Sequence, residues 1–214
     1  MENERQLLGM YVNVGEYRRN ISMPFRQDGR ICATDGHMMI RIAEGLCEGE
    51  YTDMPFGLKT PDTNSVMPEP NMCEDVTAEM LEHALENAPK EKERKCPECG
   101  GSGTVDYTYC DRFCNYHTVE DDCPECDGTG EVSDYTVIRN HFTLHGNALC
   151  YHHLKTLLRT MRYLQTGSLR LRYMQKEDGH SLALLFDVEG KDIEILVMPQ
   201  IRDRKMEEIK IETI

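Results

Sequence analysis

Six of the ten cysteines lie between Cys96 and Cys126. Four of them head a near-duplicated segment, Cys96-Pro-Glu-Cys99-Gly-Gly-Ser-Gly103 and Cys123-Pro-Glu-Cys126-Asp-Gly-Thr-Gly130. Two thiolates separated by two residues in a tight turn can bind one tetrahedral ion, and a second such turn completes four ligands. The glycines permit positive φ angles, which let backbone N–H groups turn toward the sulfurs. The pattern predicts a zinc site formed by Cys96, Cys99, Cys123 and Cys126, with free thiols or disulfides as the alternative.

Three further candidate ligands, Cys110, Cys114 and His117, lie between the two repeats without accompanying glycines. They could bind a second zinc ion, with an aspartate or water as the fourth ligand. They could equally pack inside the cysteine-rich segment as ordinary side chains. Both interpretations stay open at this point.

The predicted zinc site is structural rather than catalytic. A catalytic zinc usually keeps one position open, whereas four thiolates close the coordination shell. Zinc deaminases require His-x-Glu followed by Pro-Cys-x-x-Cys, but this chain has His117-Thr-Val-Glu120 and Cys123-Pro-Glu-Cys126. The sequence also shows no nucleophile–base arrangement and no glycine-rich phosphate loop before a helix. We therefore expect no catalytic residues and no enzymatic activity.

The two cysteine repeats resemble the cysteine-rich module of the DnaJ-type chaperones. That module carries four such repeats and binds two zinc ions. The resemblance covers only residues 96–130, where the outer two repeats alone are intact. Because the pattern is broken, the chaperone role of that family is not carried over.

The composition excludes several classes of protein. The 214 residues include 38 acidic and 24 basic side chains, for a net charge of −14. No apolar run approaches the roughly 18 to 20 residues that a membrane span needs, and the charged N-terminus is not followed by the apolar region of a signal peptide. Clustered cysteines without a secretion signal favour metal binding in a reducing compartment, so we expect a cytoplasmic protein without membrane contacts.

Periodicity predicts an α+β fold interrupted by the cysteine-rich segment. Residues 1–58 are expected to be β-rich. Apolar residues occupy every second position over 20–26, and a hairpin turn is expected at Gln27-Asp-Gly-Arg30. A loop over 59–75 precedes a helix capped by Asp75 or Thr77. A strand at 135–144, a helix at 149–165 with Gly167 at its C-terminal cap, and three strands complete the chain. The predicted domains are 1–89 plus 135–214, and an inserted zinc finger over 90–134.

The segment from Arg30 to Arg41, which contains Ala33-Thr-Asp-Gly-His37, resembles the bacterial DNA polymerase sliding-clamp (β subunit) family. There, a strand ends in this motif and the chain turns directly into the next strand. Three other features agree: a predicted strand at Leu8-Gly-Met-Tyr-Val12, the helix 149–165 followed by three strands, and the closing Val197-Met-Pro199. Asp35 and His37 are then turn and packing residues, although an ordinary Asp-Gly hairpin would explain the motif as well.

The resemblance covers roughly residues 5–58 and 135–200, and implies one DNA-clamp-like domain, an antiparallel sheet with two helices. A bacterial clamp subunit carries three such domains, and two subunits form a ring around DNA. This chain has room for one domain, so it would encircle DNA only by self-assembly. A replication role and the oligomeric state are therefore left open.

Charge is distributed unevenly along the chain. From His141 to Gln175 there is no acidic residue. The same segment contains five basic residues, Lys155, Arg159, Arg162, Arg170 and Arg172. The first three fall within about 60° of one another on a helix at 100° per residue. In clamps the helices line the hole and face phosphates, so these five residues are the predicted nucleic-acid-binding site; a solvated or internally paired helix face is the alternative.

Two functions are consistent with these features. The first is a non-catalytic, DNA-associated clamp-like accessory protein that contacts nucleic acid nonspecifically and carries a structural zinc finger. The second is a protein-interaction module, in which the finger or an exposed sheet edge binds a polypeptide and DNA is not bound. His152 and His153 lie next to the basic residues of the predicted helix 149–165. They are expected to be surface residues rather than ligands.

Overall fold

The computed structural model describes the chain in nine stretches: 4–12, 22–53, 63–88, 94–110, 116–126, 128–132, 141–173, 183–201 and 208–212. The Cα positions divide into two compact units. We call Met1–Ala88 with Ile138–Ile214 the body, and Pro89–Val137 the finger.

The described residues contain three α-helices and fourteen strands. The helices are α1 (Glu4–Gly9), α2 (Ala78–Glu86) and α3 (Tyr151–Leu164), and one 3-10 turn spans Glu44–Leu46. The strands before α3 are β1 (Phe25–Gln27), β2 (Arg30–Thr34), β3 (Met38–Ala43), β4 (Met72–Thr77), β5 (Arg94–Lys95), β6 (Thr104–Cys110), β7 (Tyr116–Asp122), β8 (Glu131–Val132), β9 (His141–Leu144) and β10 (Asn147–Leu149). Those after it are β11 (Ser168–Tyr173), β12 (Leu184–Asp187), β13 (Ile193–Val197) and β14 (Glu208–Lys210).

The main sheet of the body has seven antiparallel strands in the order β1-β2-β3-β13-β12-β11-β4. The hairpin between β1 and β2 is confirmed: Asp28 and Gly29 have φ angles of 50° and 73°, as a tight two-residue turn requires. A second sheet, in the order β10-β9-β14, is mixed, because β14 runs parallel to β9. The body is therefore α+β, but its sheets are not all antiparallel.

Three expectations for the N-terminal part of the chain are wrong. Residues 8–12 do not form a strand, because α1 ends at Gly9 and a turn follows. Leu7, Leu8 and Tyr11 are fully buried together, a helical spacing that places them on one side of the chain. Residues 22–24 precede β1 rather than extending it, and β4 occupies part of the predicted loop over 59–75. The described chain therefore contains a short helix, α1, in addition to the two that the sequence predicts.

Helix α2 begins where its sequence predicts. Thr77 is the N-cap, and its hydroxyl accepts a hydrogen bond from the Met80 backbone N–H at 3.3 Å. The other predicted cap, Asp75, lies within β4. Met80, Leu81 and Ala84 are the buried residues of this short helix.

Helix α3 buries one face and exposes the other. Its buried residues are His153, Leu154, Thr156, Leu157, Leu158, Thr160, Met161 and Leu164. The helix stops before Gly167, because Gln165 takes the left-handed C-cap conformation with φ 54°. Leu169 and Leu171 of β11 belong to the same apolar core as the α2 and α3 faces. Among the described helices, none combines the length and apolar character that a bilayer crossing requires.

Four cysteines lie outside the cysteine-rich segment. Cys32 and Cys150 are buried, Cys47 is half-buried and Cys73 is exposed. Burial raises the pKa of the Cys32 thiol to about 11, so this cysteine stays protonated at neutral pH.

Candidate metal centre and basic helix face

The four repeat cysteines converge on one point in the finger. Their sulfur atoms all lie within 4.8 Å of one another, and Cys96, Cys123 and Cys126 are buried. The Sγ atoms of Cys96 and Cys123 are 3.7 Å apart, and those of Cys99 and Cys126 are 3.8 Å apart. A tetrahedral ion with metal–sulfur bonds of about 2.3 Å separates its sulfur ligands by about 3.8 Å. The donor set therefore fits a tetrahedral metal ion.

The two repeats hold each other through symmetric backbone hydrogen bonds. The Cys96 N–H donates to the carbonyl of Gly130 at 2.9 Å, and the Cys123 N–H donates to the carbonyl of Gly103 at 2.8 Å. Each final glycine also donates its own N–H to a sulfur: Gly103 to Cys99 at 3.3 Å and Gly130 to Cys126 at 3.2 Å. The duplicated sequence thus folds into two equivalent turns that face one site.

Those two glycines are required by space as well as by backbone angle. Gly103 has φ 85° and Gly130 has φ 75°. A Cβ atom at Gly103 would lie 2.4 Å from the Gly128 carbonyl oxygen, and one at Gly130 would lie 2.6 Å from that of Gly101. Any larger residue at either position would separate the two turns.

Hydrogen bonds to sulfur control the charge of the site. Burial raises the pKa of the Cys99 thiol, but hydrogen bonds from the Gly103 and Gly101 N–H groups and from the Cys96 and Cys126 side chains together outweigh burial and lower the pKa to about 6. Burial raises the pKa of Cys123 to about 12. Metal binding requires thiolates, so an ion entering the site would displace the remaining thiol protons. Four sulfurs around one ion leave no position for substrate.

The predicted second zinc site is only partly within the described residues. Cys114 lies outside them, and for Cys110 and His117 only the backbone is described. These two residues occupy neighbouring register positions on β6 and β7, since Cys110 pairs with Tyr116 and Tyr109 pairs with His117. The second zinc ion stays a prediction.

Three of the five predicted basic residues share one edge of α3. Lys155, Arg159 and Arg162 are all exposed. Lys155 lies over the Tyr151 ring with its Nζ 5.2 Å from the centroid, and Arg162 donates to Glu82 of α2 at 2.9 Å. Within the described residues, no carboxylate forms an ion pair with Lys155 or Arg159 at a salt-bridge distance.

The other two, Arg170 and Arg172, lie on the opposite face of the main sheet. They alternate along β11 with Leu169 and Leu171, which face the helices. The Arg172 guanidinium donates to Asp187 at 2.7 Å, and Arg170 pairs with Asp75 at 3.7 Å. The structure therefore does not bring the five cations together, and both β11 arginines already have acidic partners.

An open groove of about 600 Å³ separates α2 from α3. Leu85 and Leu158 line it, with Glu82 and Glu86 on the α2 side. The cationic edge of α3 forms the other side. The acidic wall reduces the net positive potential that α3 presents to an anion.

The clamp-like motif forms a hydrogen-bonded turn next to α3. The Asp35 carboxylate accepts the backbone N–H groups of His37 and Met38, both at 2.7 Å, and lies 3.2 Å from His152 Nε2. His153 is not a surface residue as expected: it is buried, and its Nδ1 accepts the Cys150 N–H at 3.3 Å. Burial lowers the pKa of His153 to about 4, so it is neutral and structural.

The chain is similar in structure to bacterial sliding clamps. DNA polymerase III subunit beta from Borrelia burgdorferi matches 94% of this chain and 62% of its own at 12% identity, with a TM-score of 0.49. The beta sliding clamp of C. crescentus matches 94% of this chain and 64% of its own at 13% identity and TM-score 0.48. The sliding clamp of Pseudomonas aeruginosa matches 92% and 63% at 14% identity and TM-score 0.47.

The chain therefore spans a little under two thirds of the length of these clamps. No protein-family model matches the sequence, and no curated protein matches it. The resemblance of the finger to the DnaJ-type module rests on its sequence repeats alone.

Proposed function

We propose that this chain is a non-catalytic, clamp-like accessory protein that contacts DNA nonspecifically through the exposed edge of α3. The observation that carries the proposal is the pair Lys155 and Arg159, exposed and without an acidic ion-pair partner in the described chain, on a helix whose other face is buried. The Ala33–His37 motif, packed against the start of this helix through Asp35 and His152, supports the clamp-like assignment.

The chemistry of such a contact is electrostatic. Residues four apart on a helix are about 6 Å apart along its axis, so two flexible cations can reach neighbouring phosphates of one strand. Binding of this kind reads no base sequence and weakens steeply with salt, because each contact releases condensed counterions. The acidic α2 wall and the net charge of −14 make the predicted affinity low.

The finger contributes a structural element held by zinc. A four-thiolate donor set in a tetrahedral arrangement is typical of structural zinc. Among the described side chains of the finger, the apolar cluster consists of the cysteines with Val105 and Val132. Metal binding would then supply much of its folding free energy. Zinc has no chemical step in this proposal.

Two matched variants test the α3 assignment. Lys155→Gln with Arg159→Gln removes two charges from the proposed DNA face, and Arg170→Gln with Lys210→Gln removes two exposed charges elsewhere on the body. We expect the first variant to bind a short duplex about tenfold more weakly near physiological salt, with a salt dependence smaller by about two counterions. We expect the control to behave like the unsubstituted protein. Equal losses in both variants would mean that overall charge, not α3, governs binding, and that the assignment is wrong.

A protein-interaction module is the second candidate. It is favoured by the hairpin β6–β7 of the finger, which pairs with no other strand in the described chain. This function predicts that DNA is not bound and that a polypeptide partner is lost when Cys96 and Cys123 are replaced by serine.

A further inference from the structure

The hairpin β6–β7 forms a sheet of only two strands. Thr104 to Cys110 pairs with Asp122 to Tyr116 over seven residues on each side. Within the residues that the structure describes, neither strand has a partner on its outer edge. Two-stranded ribbons are marginal in water, and an open edge presents unpaired N–H and C=O groups to any extended chain.

The hairpin also carries an unfavourable charge arrangement. Asp106 pairs directly with Glu120, so two carboxylates face each other across the strands. Asp122 lies two residues from Glu120 and therefore on the same side of the ribbon. Like charges in this position destabilise a strand pair. Asp106, Glu120 and Asp122 are exposed, and in the described chain none of them forms an ion pair.

A single metal ion does not explain this arrangement. In the described chain, the only group of acidic, cysteine or histidine side chains close enough to hold one ion is the four-cysteine cluster. Cationic side chains projecting from an added strand would match the spacing instead. Alternate residues of a strand rise by about 6.8 Å and face one side, as Glu120 and Asp122 do.

We propose that the outer edge of β7 binds a basic, extended polypeptide segment as a third strand. Main-chain hydrogen bonds to the free edge would supply affinity, and lysine or arginine at alternate positions would neutralise Asp106, Glu120 and Asp122. Val119, which is 48% exposed on the other side of the ribbon, would cover the intervening small or β-branched side chains. This inference deepens the second candidate function and does not depend on DNA binding by α3.

The test uses the full-length, zinc-loaded protein and two labelled peptides of equal length and charge. One alternates lysine with threonine and can form a strand; the other alternates N-methyl-lysine with proline and has no main-chain N–H group to donate. We expect the lysine–threonine peptide to bind about tenfold more tightly, as followed by fluorescence anisotropy. Equal affinity for both peptides would mean charge attraction without an added strand, and would overturn the proposal.

A variant pair locates the site. Glu120→Gln with Asp122→Asn keeps shape and removes two charges from the hairpin, and is expected to weaken lysine–threonine binding about tenfold. Glu98→Gln with Glu125→Gln removes two exposed charges from the turns of the same finger, and is expected to leave binding within about threefold. Bound zinc, measured for each variant, confirms folding. Unchanged peptide binding in the hairpin variant would overturn this site. It would not overturn the second candidate function, which would then need a binding surface elsewhere on the chain.

Discussion

The glycines are the most constrained residues of the metal centre. Gly103 and Gly130 each combine a left-handed backbone, an N–H aimed at a ligand sulfur, and contact with the opposite turn. Their role differs from that of Gly100, which also has a positive φ of 63° but has open space where a Cβ would lie. The sequence repeat identifies Gly103 and Gly130, whereas Gly100 stands at a position that is Asp127 in the second repeat; only the structure shows what each glycine contacts.

The pair Gly103→Ala and Gly100→Ala tests this distinction. Both alanines accept a strained backbone, but only the one at 103 collides with the Gly128 carbonyl. We expect Gly103→Ala to lower zinc affinity by about 10- to 100-fold, with a smaller loss for Gly100→Ala. Competition with a chromophoric zinc indicator measures both. Equal losses would show that the contact between the turns is unimportant.

Elements whose determinants are local were the most predictable from sequence. The Cys-x-x-Cys turns, the Asp28-Gly29 hairpin and the Thr77 cap depend on a few neighbouring residues, and each lies where the pattern indicates. The strand predicted at 8–12 does not form. Leu7, Leu8 and Tyr11 fit the spacing of a helix as well as that of a short apolar strand, and tertiary burial decides between the two.

The prediction that five basic residues form one nucleic-acid-binding site was wrong in part, and the alternation of side chains along a strand explains why. Sequence proximity grouped Arg170 and Arg172 with α3, although the alternation of Leu169, Leu171 and Tyr173 already implied that the arginines face away from the helices. Their acidic partners, Asp75 and Asp187, come from neighbouring strands whose pairing the sequence does not specify. Long-range strand pairing, which local sequence patterns do not show, therefore limited the prediction of the basic site.

Metal removal tests the finger as an element. Because the four cysteines form most of the apolar cluster among the described side chains of the finger, we expect a chelator to expose residues 90–134 to limited proteolysis while the body stays resistant. The variant with Cys96→Ser and Cys123→Ser should give the same fragments without chelator. If chelation leaves the protease resistance of the finger unchanged, the four cysteines do not hold a structural metal.

At the scale of the whole molecule, an acidic chain carries a small cationic edge. The net charge of −14 disfavours binding to DNA. Lys155 and Arg159 are nevertheless exposed on α3, with no acidic ion-pair partner in the described chain. Such a protein would associate with DNA only weakly. The proposed DNA contact lies in the body and the proposed peptide site lies in the finger, so the two proposals place different ligands on different units.

The decisive experiment for the DNA contact proposed on α3 is binding of the zinc-loaded protein to a short duplex across a salt series. Two to three cations on α3 predict weak binding, independent of sequence, with a logarithmic salt slope of about −2 to −3. Absence of binding even at low salt, or an affinity that does not change with salt, would rule out this contact and leave protein interaction as the remaining candidate function.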